Sequence, residues 1–296
     1  MAGIDLNRTS SGVLLPPEVS SEIWANTQEA SVVMQLARQI NLPGNGVSVQ
    51  TITGDAVADW VAETDNKPVS RSTLDQKTIT PYKLAVIEPF SNEFRRDLPG
   101  LYAELARRLP NALSKKFDQT VFHGTAPGSG FDVLSGAAAV AIDGTNTYQD
   151  FLSAVSTVAA AGGRLSAWAL SGQAEALAMG AMDGFNRPLF LSDVNNQGSI
   201  GTILGRPVQI SKAVYSNPTD PAVDTIGFAG DWSSALYGTV EGVQVSVSDQ
   251  ATLTDGSTQI NLWQRNMFAI RAEIEVGFAV KDVAHFVKLT GAATAP

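Results

Sequence analysis

The most regular pattern in the chain is FAIRAEIEVGFAV, which occupies residues 268–280. Apolar side chains take every second position from Phe268 to Val280, and the positions between them carry charged or small residues. Because successive side chains of a strand point to opposite faces of the sheet, this pattern predicts a strand with one buried face and one solvated face. Residues 283–289 follow it as the predicted last strand of the fold.

A long amphipathic helix is predicted from Asp97 to about His123, and the glycine-rich run GTAPGSG at residues 124–130 ends it. Pro110 lies inside this helix and has no N–H to donate, so we expect a kink or a break into two segments there. One apolar stripe with helical spacing carries the prediction: Leu101, Leu105, Leu109, Leu113, Phe117 and Val121.

A short strand is predicted at residues 47–52, and a polar stretch with strand-like pieces follows it from Gly54 to about Pro89. Connections longer than about 12–15 residues are uncommon in compact domains unless they have a function. We therefore interpret this stretch as a projecting two-stranded loop. A lone hairpin is marginally stable in water, so its backbone partners and its cover are expected to come from another subunit. The loop by itself predicts an oligomer.

The rest of the chain predicts an α+β fold. Residues 1–45 form an N-terminal arm followed by a helix whose apolar residues recur up to Ile40. Further helices are expected near residues 147–161 and 172–182, and further strands near residues 208–210, 226–229 and 243–247. The spacing of Thr147 and Asp150 matches a capping box at the start of the first of these helices.

Composition excludes several classes of function. The chain has no cysteine and two histidines, so disulfides, thiolate metal sites and cysteine nucleophiles are excluded. Its net charge of −9 argues against strong sequence-independent binding to nucleic-acid phosphates, which requires clustered Lys and Arg. The N-terminal residues contain neither a secretion signal nor an apolar stretch long enough to cross a bilayer, so we expect neither secretion nor membrane insertion.

Candidate catalytic or ligand-binding residues are few, and each has a simpler structural interpretation. His123 is expected to cap the long helix and His285 to have a structural role in the last strand. Residues 124–130 lack the Lys and Ser or Thr of a phosphate-binding loop. Four acidic residues of the loop lack the spacing of a calcium site, and a solvated or intersubunit acidic face is the better interpretation: Asp55, Asp59, Glu63 and Asp65. No catalytic residue, metal or cofactor is predicted.

Several motifs, taken in order, resemble the major capsid proteins of tailed bacteriophages with the Hong Kong 97-type fold. The resemblance covers about residues 16–290. The order of arm, loop, long helix and second lobe also matches that family. The motifs are Trp60-Val61-Ala62-Glu63 with Lys67-Pro68 and Lys77-Thr78-Ile79, then Leu204-Gly205-Arg206-Pro207-Val208, then Phe228-Ala229-Gly230-Asp231-Trp232, and finally the Arg271 strand with Val280-Lys281-Asp282-Val283-Ala284-His285-Phe286.

The resemblance implies five parts of the chain. They are an N-terminal arm and helix (1–45), an extended β-hairpin loop (46–90), a spine helix with part of a peripheral domain (91–130), an axial domain (131–260), and returning strands of the peripheral domain (261–296). It also implies that the loop lies across a neighbouring subunit. The intersubunit residues expected in this loop are Trp60, Glu63, Lys67 and Lys77, with Trp60 as a buried anchor. The alternative for Trp60 is a core contact within its own subunit.

The implied function is that of a structural head protein, not an enzyme. Copies of the chain would assemble into pentamers and hexamers of an icosahedral shell around double-stranded DNA, without sequence-specific binding or a membrane. The N-terminus lacks the long helical scaffolding segment of some members, so a separate scaffolding protein is expected, together with a portal and decoration proteins. Assembly would take place in the host bacterial cytoplasm, and the product would be part of the virion.

Two alternative functions are weighed against this interpretation. An encapsulin-like nanocompartment shell resembles the same fold, but the long, well-formed loop favours a phage head. A hydrolase would need Asp231, His285 and a serine to converge, which their spacing does not suggest.

Some members of the family join subunits through a Lys to Asn isopeptide bond. Lys67 or Lys77 lies in the appropriate loop, but no matching Asn or catalytic Glu is identified, so crosslinking is not expected.

Overall fold

The computed structural model describes most of the chain between residues 26 and 291. The described residues are 26–28, 30–54, 56–61, 66–67, 69–71, 73–93, 98–142, 144–182, 187, 189, 201–218, 223–256 and 258–291, with the backbone alone at 50–54, 73–75, 98–107 and 255. The predicted N-terminal arm before residue 26 lies outside this part of the chain.

Helices occupy the N-terminal and middle parts of the described chain. The α-helices are α1 (Val32–Leu36), α2 (Leu98–Phe122), α3 (Thr147–Ala160) and α4 (Gly172–Met179), and short 3-10 helices lie at Lys212–Val214, Trp232–Ser234 and Val283–His285.

Strands fall into two larger sheets and two hairpins. They are β1 (Arg38–Asn41), β2 (Val47–Gly54), β3 (Thr73–Ile79), β4 (Tyr82–Ser91), β5 (Ala138–Ala141), β6 (Ala167–Leu170), β7 (Thr202–Ile203), β8 (Arg206–Ile210), β9 (Thr225–Gly230), β10 (Ala235–Thr239), β11 (Gln244–Ser248), β12 (Thr252–Asp255), β13 (Thr258–Asn261), β14 (Met267–Val280) and β15 (Phe286–Thr290).

The first sheet is organised around β14, the strand predicted at residues 268–280. Strand β4 pairs with it antiparallel along one edge, from Ser91 opposite Met267 to Tyr82 opposite Val276. Strands β10 and β11 share its other edge, and β1 extends the sheet by pairing parallel to β10. The predicted strand is therefore confirmed, and its length allows it to pair with three other strands.

The predicted wet face of β14 is open over only part of the strand. Arg271 is exposed, whereas Gly277 and Ala279 on the same face are buried. Leu42 and Ile79 cover this second face, and together with Ala279 they form a small apolar cluster at the base of the β2–β3 hairpin. A side chain at Gly277 would meet the Thr80 carbonyl oxygen at 2.9 Å, so the close packing requires glycine there.

The second sheet has the strand order β5-β15-β9-β6-β8-β7. Its central strands are covered on both faces. Ala167 and Ala169 of β6 face the core shared with α2, whereas Trp168 and Leu170 face the core shared with α3 and α4. A strand buried on both faces favours apolar residues at every position, which explains the apolar sequences of β6 and of β9 after Thr225.

Helix α2 confirms the predicted long helix and its boundaries within one residue. Its apolar stripe is buried from Leu109 to Val121 and packs against the first sheet and one face of the second. Pro110 does not divide the helix, which runs unbroken from Leu98 to Phe122. The missing N–H costs one hydrogen bond, and burial of the flanking stripe keeps the two halves together.

The predicted loop at residues 46–90 is shorter in the structure. Strands β2 and β3 form the expected two-stranded hairpin, but β4 belongs to the first sheet and lies outside the loop. Alternate residues of β4, including Leu84 and Val86, pack on the core beside α2. The outward positions carry Ala85 and Ile87 as well as polar residues, and this conceals the alternation in the sequence. The hairpin ends at Ile79 instead of residue 90.

Strand pairing also crosses the predicted chain ranges. β10 and β11 lie within residues 131–260 but pair with β14 in the first sheet, and β15 lies within 261–296 but pairs with β5 and β9 in the second. The 3-10 helix at Val283–His285 turns the chain from one sheet to the other. Consecutive ranges therefore do not describe the two lobes, because each sheet collects strands from distant parts of the chain.

Three smaller expectations were wrong in detail. Helix α1 ends at Leu36, and Ile40 lies in strand β1. The last strand begins at Phe286 instead of Val283, since residues 283–285 form a 3-10 helix. Helix α3 has Asn146 at its N-cap position and no side-chain capping bond, so Thr147 is the first helical residue and not a cap.

Candidate assembly surface

The β2–β3 hairpin is a separate two-stranded sheet attached to the first sheet at its base. Its register runs from Val47 opposite Ile79 to Ile52 opposite Leu74, with an irregularity at Gly54. Gly46 adopts a positive φ at the entry to β2, and a Cβ there would collide with the Ile79 carbonyl oxygen. Buried Ile79 and these close contacts fix the base, and among the described strands β2 and β3 pair only with each other.

The described part of the hairpin tip presents apolar side chains to solvent. Trp60 is 101% exposed, Val69 is 86% exposed and Val57 is 74% exposed. Trp60 therefore makes no core contact within its own subunit, which removes that alternative. Lys67 is also exposed, and Glu63 lies outside the described residues. An isolated chain gains nothing from an exposed tryptophan, so the tip has the composition of a surface that a partner covers.

Lys77 lies at the base of the hairpin, apart from Trp60 and Lys67. It occupies β3 opposite Val49. Its Nζ is 2.7 Å from Asp132 Oδ2 and donates to the Val280 carbonyl oxygen at 2.5 Å. Asp132 Oδ2 also accepts from the Val280 N–H at 2.8 Å. The amine thus ties the hairpin to the end of β14 within one subunit, instead of pointing to a neighbour.

Replacing Lys77 with methionine is expected to lower the free energy of unfolding by about 1–2 kcal/mol, because a half-buried charge-assisted bond is lost. Amide hydrogen exchange in β2 and β3 should accelerate more than exchange in β14. The matched control is Lys83→Met, which removes a 58% exposed lysine that lies 3.5–3.7 Å from Glu275 and Glu273 on the open face of the sheet. That change should cost less than about 0.5 kcal/mol. Equal losses for the two variants would contradict a special role for Lys77.

Asp118 is a buried carboxylate that no sequence motif indicated. It lies on α2, is 1% exposed, and accepts hydrogen bonds from Ser31 Oγ at 2.6 Å and the Val32 N–H at 2.9 Å. Burial raises its pKa from 3.8 to about 6, against the opposing effect of these hydrogen bonds and one from the Val33 N–H. The carboxylate caps the first turn of α1 and so joins the N-terminal segment to the long helix.

Neither histidine belongs to a catalytic arrangement in the described chain. The His123 ring lies 2.6 Å from the Val214 carbonyl oxygen through Nε2, so it binds a neighbouring turn and does not cap α2 as expected. Burial lowers the pKa of His123. The Asp231 carboxylate accepts from the backbone N–H groups of Ser233 and Arg164. The backbone N–H of Asp231 donates to the His285 carbonyl oxygen. The contacts of the Asp231 carboxylate thus do not include the His285 ring.

Other binding chemistry is sparse in the part of the chain that the structure describes. No group of three or more His, Asp or Glu side chains there is placed to hold a metal ion. Of the four acidic loop residues considered in the sequence, Asp59 is described and exposed, whereas Asp55, Glu63 and Asp65 lie outside the described residues. No described helix is long and apolar enough to span a bilayer.

Sequence comparison gives a family match over nearly the whole chain. The model of the phage capsid family matches residues 11–291. The chain is 32% identical over 295 residues to the probable major capsid protein of Mycobacterium phage L5, an alignment that covers 93% of this chain and 89% of the relative. The hairpin, the long helix and both sheets all fall within the matched residues.

Structural comparison gives the same fold in solved structures of a phage and of a GTA particle. A chain from Gordonia phage Cozz has a TM-score of 0.72 at 23% identity, covering 89% of this chain and 87% of that one. A chain from the capsid of an empty GTA particle, computed with C5 symmetry, has a TM-score of 0.64 at 16% identity, covering 89% and 90%. The arrangement of two sheets, long helix and projecting hairpin is therefore shared with capsid subunits.

Proposed function

The chain belongs to the phage capsid family, and from this premise we propose that its projecting hairpin joins identical subunits into the pentamers and hexamers of an icosahedral head. It is a phage major capsid protein and a structural component of the virion. The observation that carries the proposal is the tip of the hairpin, where Trp60 and two valines are exposed on a segment that has no core of its own.

Each part of the hairpin has a distinct role in this proposal. The base is held by Ile79 and by the Lys77–Asp132 pair, which sets the direction in which the hairpin leaves the subunit. The tip carries Trp60 with Glu63 and Lys67 to the neighbouring subunit. Lys77 contributes from the base by orienting the hairpin, and the engagement of its amine by Asp132 supports assembly without a covalent crosslink at this residue.

The two sheets correspond to two lobes of the subunit in this proposal. The first sheet and α2 form the peripheral domain, and the second sheet with α3 and α4 forms the axial domain that converges on the fivefold and sixfold axes. β10 and β11 are assigned to the peripheral domain and β15 to the axial domain, following their hydrogen bonds. Core residues such as Phe228 and Phe286 of the second sheet share the cluster beside α2, so the lobes are packed on each other.

The remaining partners follow from the role of a head protein. A separate scaffolding protein, a portal and decoration proteins would complete assembly in the host bacterial cytoplasm. The shell would enclose double-stranded DNA without sequence-specific contacts. The net charge of −9 supports this, because a strongly basic lining would bind the genome tightly at low salt and slow its movement.

The alternatives receive less support. An encapsulin-like shell is not favoured, because the family match and the relatives are phage capsid proteins. We propose that the chain is not an enzyme. The family role is structural, and the Asp231 carboxylate is engaged as a cap of a 3-10 helix instead of orienting a histidine.

The proposal is tested by shortening the hairpin without disturbing the sheets. Ile52 and Leu74 lie directly opposite each other, so residues 53–73 can be replaced by Asn-Gly, the two-residue turn that matches the twist of a hairpin. Negative-stain electron microscopy and light scattering should show rings of five and six subunits or closed shells for the wild-type chain at increasing concentration. The shortened chain should remain a folded monomer.

The control for this experiment is the fold of the shortened chain. Its far-ultraviolet circular dichroism and its urea midpoint should match those of the wild-type monomer, since the two large sheets and the helices are intact. Shells formed by the shortened chain would contradict the proposed role of the hairpin.

A further inference from the structure

The hairpin tip has the properties of one half of a specific contact. Trp60 is fully exposed, with Val57 and Val69 exposed near it in sequence. The backbone N–H of Trp60 donates to the Asp59 carboxylate at 2.8 Å. The surrounding sequence is acidic, because residues 55–65 contain four Asp or Glu residues and no Lys or Arg. A buried tryptophan contributes more to binding than most interface residues, so the tip requires an apolar cavity with a basic rim.

A cavity of about 210 Å³ with this chemistry lies at the base of the hairpin, and we call it the basal cavity. A cavity of about 150 Å³ lined by apolar side chains can hold a benzene molecule, so the basal cavity is large enough to hold much of an indole ring. Its walls come from the start of β4, the second half of α2 and the turn that follows it. The lining residues are Tyr82, Lys83, Leu84, Lys116, Phe117, Thr120, Thr125, Pro127, Phe131 and Val276.

Charge distinguishes the basal cavity from its neighbour on the first sheet. The basal cavity is lined by no described carboxylate, and Lys116 supplies its positive charge, because the Lys83 amine lies beside Glu273 and Glu275 on the opposite face of the sheet. Lys116 is exposed, and the ion pairs of the described residues do not include it. The neighbouring cavity of about 180 Å³ is lined by Glu241, Glu273 and Glu275 with Lys83, so it would repel an acidic segment. Only the basal cavity of these two complements the hairpin tip.

A chain cannot fill its own basal cavity with its own Trp60. The eight residues of β2 rise by about 3.3 Å each, which separates the tip from the base by about 26 Å. The cavity lies at the base, where the Thr80 N–H donates to the Gly130 carbonyl oxygen and the Tyr82 hydroxyl donates to that of Ser129. The occupant is therefore a second copy of the chain. A contact between two different surfaces of identical subunits is head-to-tail and forms rings when its rotation closes.

We propose that Trp60 of each subunit inserts into the basal cavity of the next, against Tyr82, Phe117 and Phe131, with Asp59 near Lys116. This inference rests on the proposed function, because it takes the hairpin as the bridge between subunits. It adds the receiving surface and the residues that form it. The acidic tip enters a site whose walls are apolar and aromatic and whose unpaired lysine balances its charge.

The test uses two variants that each disable one half of the contact. Trp60→Ala removes the inserted side chain, and Thr120→Trp fills the cavity from α2. Each variant alone should raise the concentration needed for ring formation about 30-fold or more, the usual effect of losing a dominant interface residue. An equal mixture should form dimers that do not grow, because the variant with a filled cavity still supplies Trp60 and the other variant still supplies an open cavity.

The folding control for Thr120→Trp is Thr157→Trp. Both threonines lie on helices and donate to the carbonyl oxygen four residues earlier, at 2.8 and 2.9 Å. Both variants should keep the wild-type circular dichroism and urea midpoint as monomers. A second measurement places the photoreactive residue benzoylphenylalanine at position 60. After cleavage at Lys and Arg, it should be found crosslinked to the peptide of residues 117–164 from another subunit. That peptide contains Phe117, Thr120 and Phe131.

The outcomes separate this inference from the proposed function. Normal rings from Thr120→Trp, together with failure of Trp60→Ala, would show that Trp60 binds elsewhere and would overturn the basal cavity as its site. Capture of a segment that does not line the basal cavity would do the same, and in both cases the hairpin would still join subunits. A wild-type chain that forms no rings or shells even when its scaffolding protein is supplied would overturn the proposed role of the hairpin in joining subunits, and this inference with it.

Discussion

Replacing Phe122 with alanine is expected to lower the free energy of unfolding by about 3–5 kcal/mol. Phe122 is fully buried at the end of α2, stacked on Phe228 at 4.9 Å between ring centroids and edge-on to Trp232 at 6.2 Å. These partners belong to the second sheet and the turn after it, so the ring connects the long helix to that lobe. The loss combines the transfer free energy of the ring with the cavity left behind, because the neighbouring aromatic rings cannot collapse into the space.

Urea unfolding of the unassembled chain measures this loss, followed by tryptophan fluorescence and circular dichroism. The matched control is Phe90→Ala, since Phe90 is stacked on Phe268 at 5.7 Å but only partly buried at the edge of the first sheet. Its loss should be about half as large, in proportion to the smaller apolar area that it buries. Equal losses would mean that the joint between α2 and the second sheet is not the main energetic contact of Phe122.

The second large effect concerns pH and Asp118. Because its pKa is about 6 in the folded chain and 3.8 ordinarily, the folded state binds a proton between these values that the unfolded chain does not. Stability contributed by this group therefore rises as pH falls from 7 to about 4, and the cost of burying the ionised carboxylate is greatest above pH 6. The difference between the two pKa values corresponds to about 3 kcal/mol of stability when the carboxyl is fully protonated.

The variant Asp118→Asn isolates this contribution, because an amide does not titrate. Between pH 7 and pH 4 the wild-type chain should gain about 2–2.5 kcal/mol relative to the variant in urea unfolding, most of the full difference. His123 has a lowered pKa and destabilises the fold on protonation, which acts in the opposite direction, but it is common to both proteins and cancels in the comparison. Parallel stability curves for the two proteins over this range would contradict the buried state of the carboxylate.

The variant also tests how the N-terminal segment is held. In the wild type, the carboxylate accepts from the Ser31 hydroxyl and from two N–H groups of α1. Asparagine offers one oxygen and one NH₂ group, which leaves a donor facing a donor. Hydrogen exchange at Val32 and Val33 should therefore accelerate in Asp118→Asn at pH 7, even where global stability changes little.

Much of the fold could be predicted because its signals are local. The alternation at residues 268–280 indicates a strand whatever its partners are, and the stripe from Leu109 to Val121 indicates a helix in the same way. The hairpin was predictable from a different signal, namely a polar segment too long for a connection and too poor in apolar residues for a core. Trp60 was identified as the side chain of interest, and its exposure agrees with a role outside its own subunit.

The errors arose where a residue's role depends on a distant partner. Strand β4 alternates weakly because its outward positions carry Ile87 as well as Lys83, and its assignment depends on pairing with β14 far along the chain. The intersubunit role of Lys77 stays a prediction, and its contact with Asp132, 55 residues away, could not be foreseen from the sequence. Asp118 sits on the buried side of α2, where an acidic residue is sensible only once Ser31 and α1 are packed against it.

The sequence by itself therefore determined the long strand at residues 268–280, the long helix and the segment that forms the hairpin. It did so because side-chain burial in a helix or strand repeats with the period of the backbone. The tertiary structure alone decided which strands share a sheet, which charges are paired at the hairpin base, and where the cavity between α2 and β4 lies. Those features are contacts between residues far apart in the chain. The free energy of such a contact depends on both residues together, so neither segment shows it in its own periodic pattern.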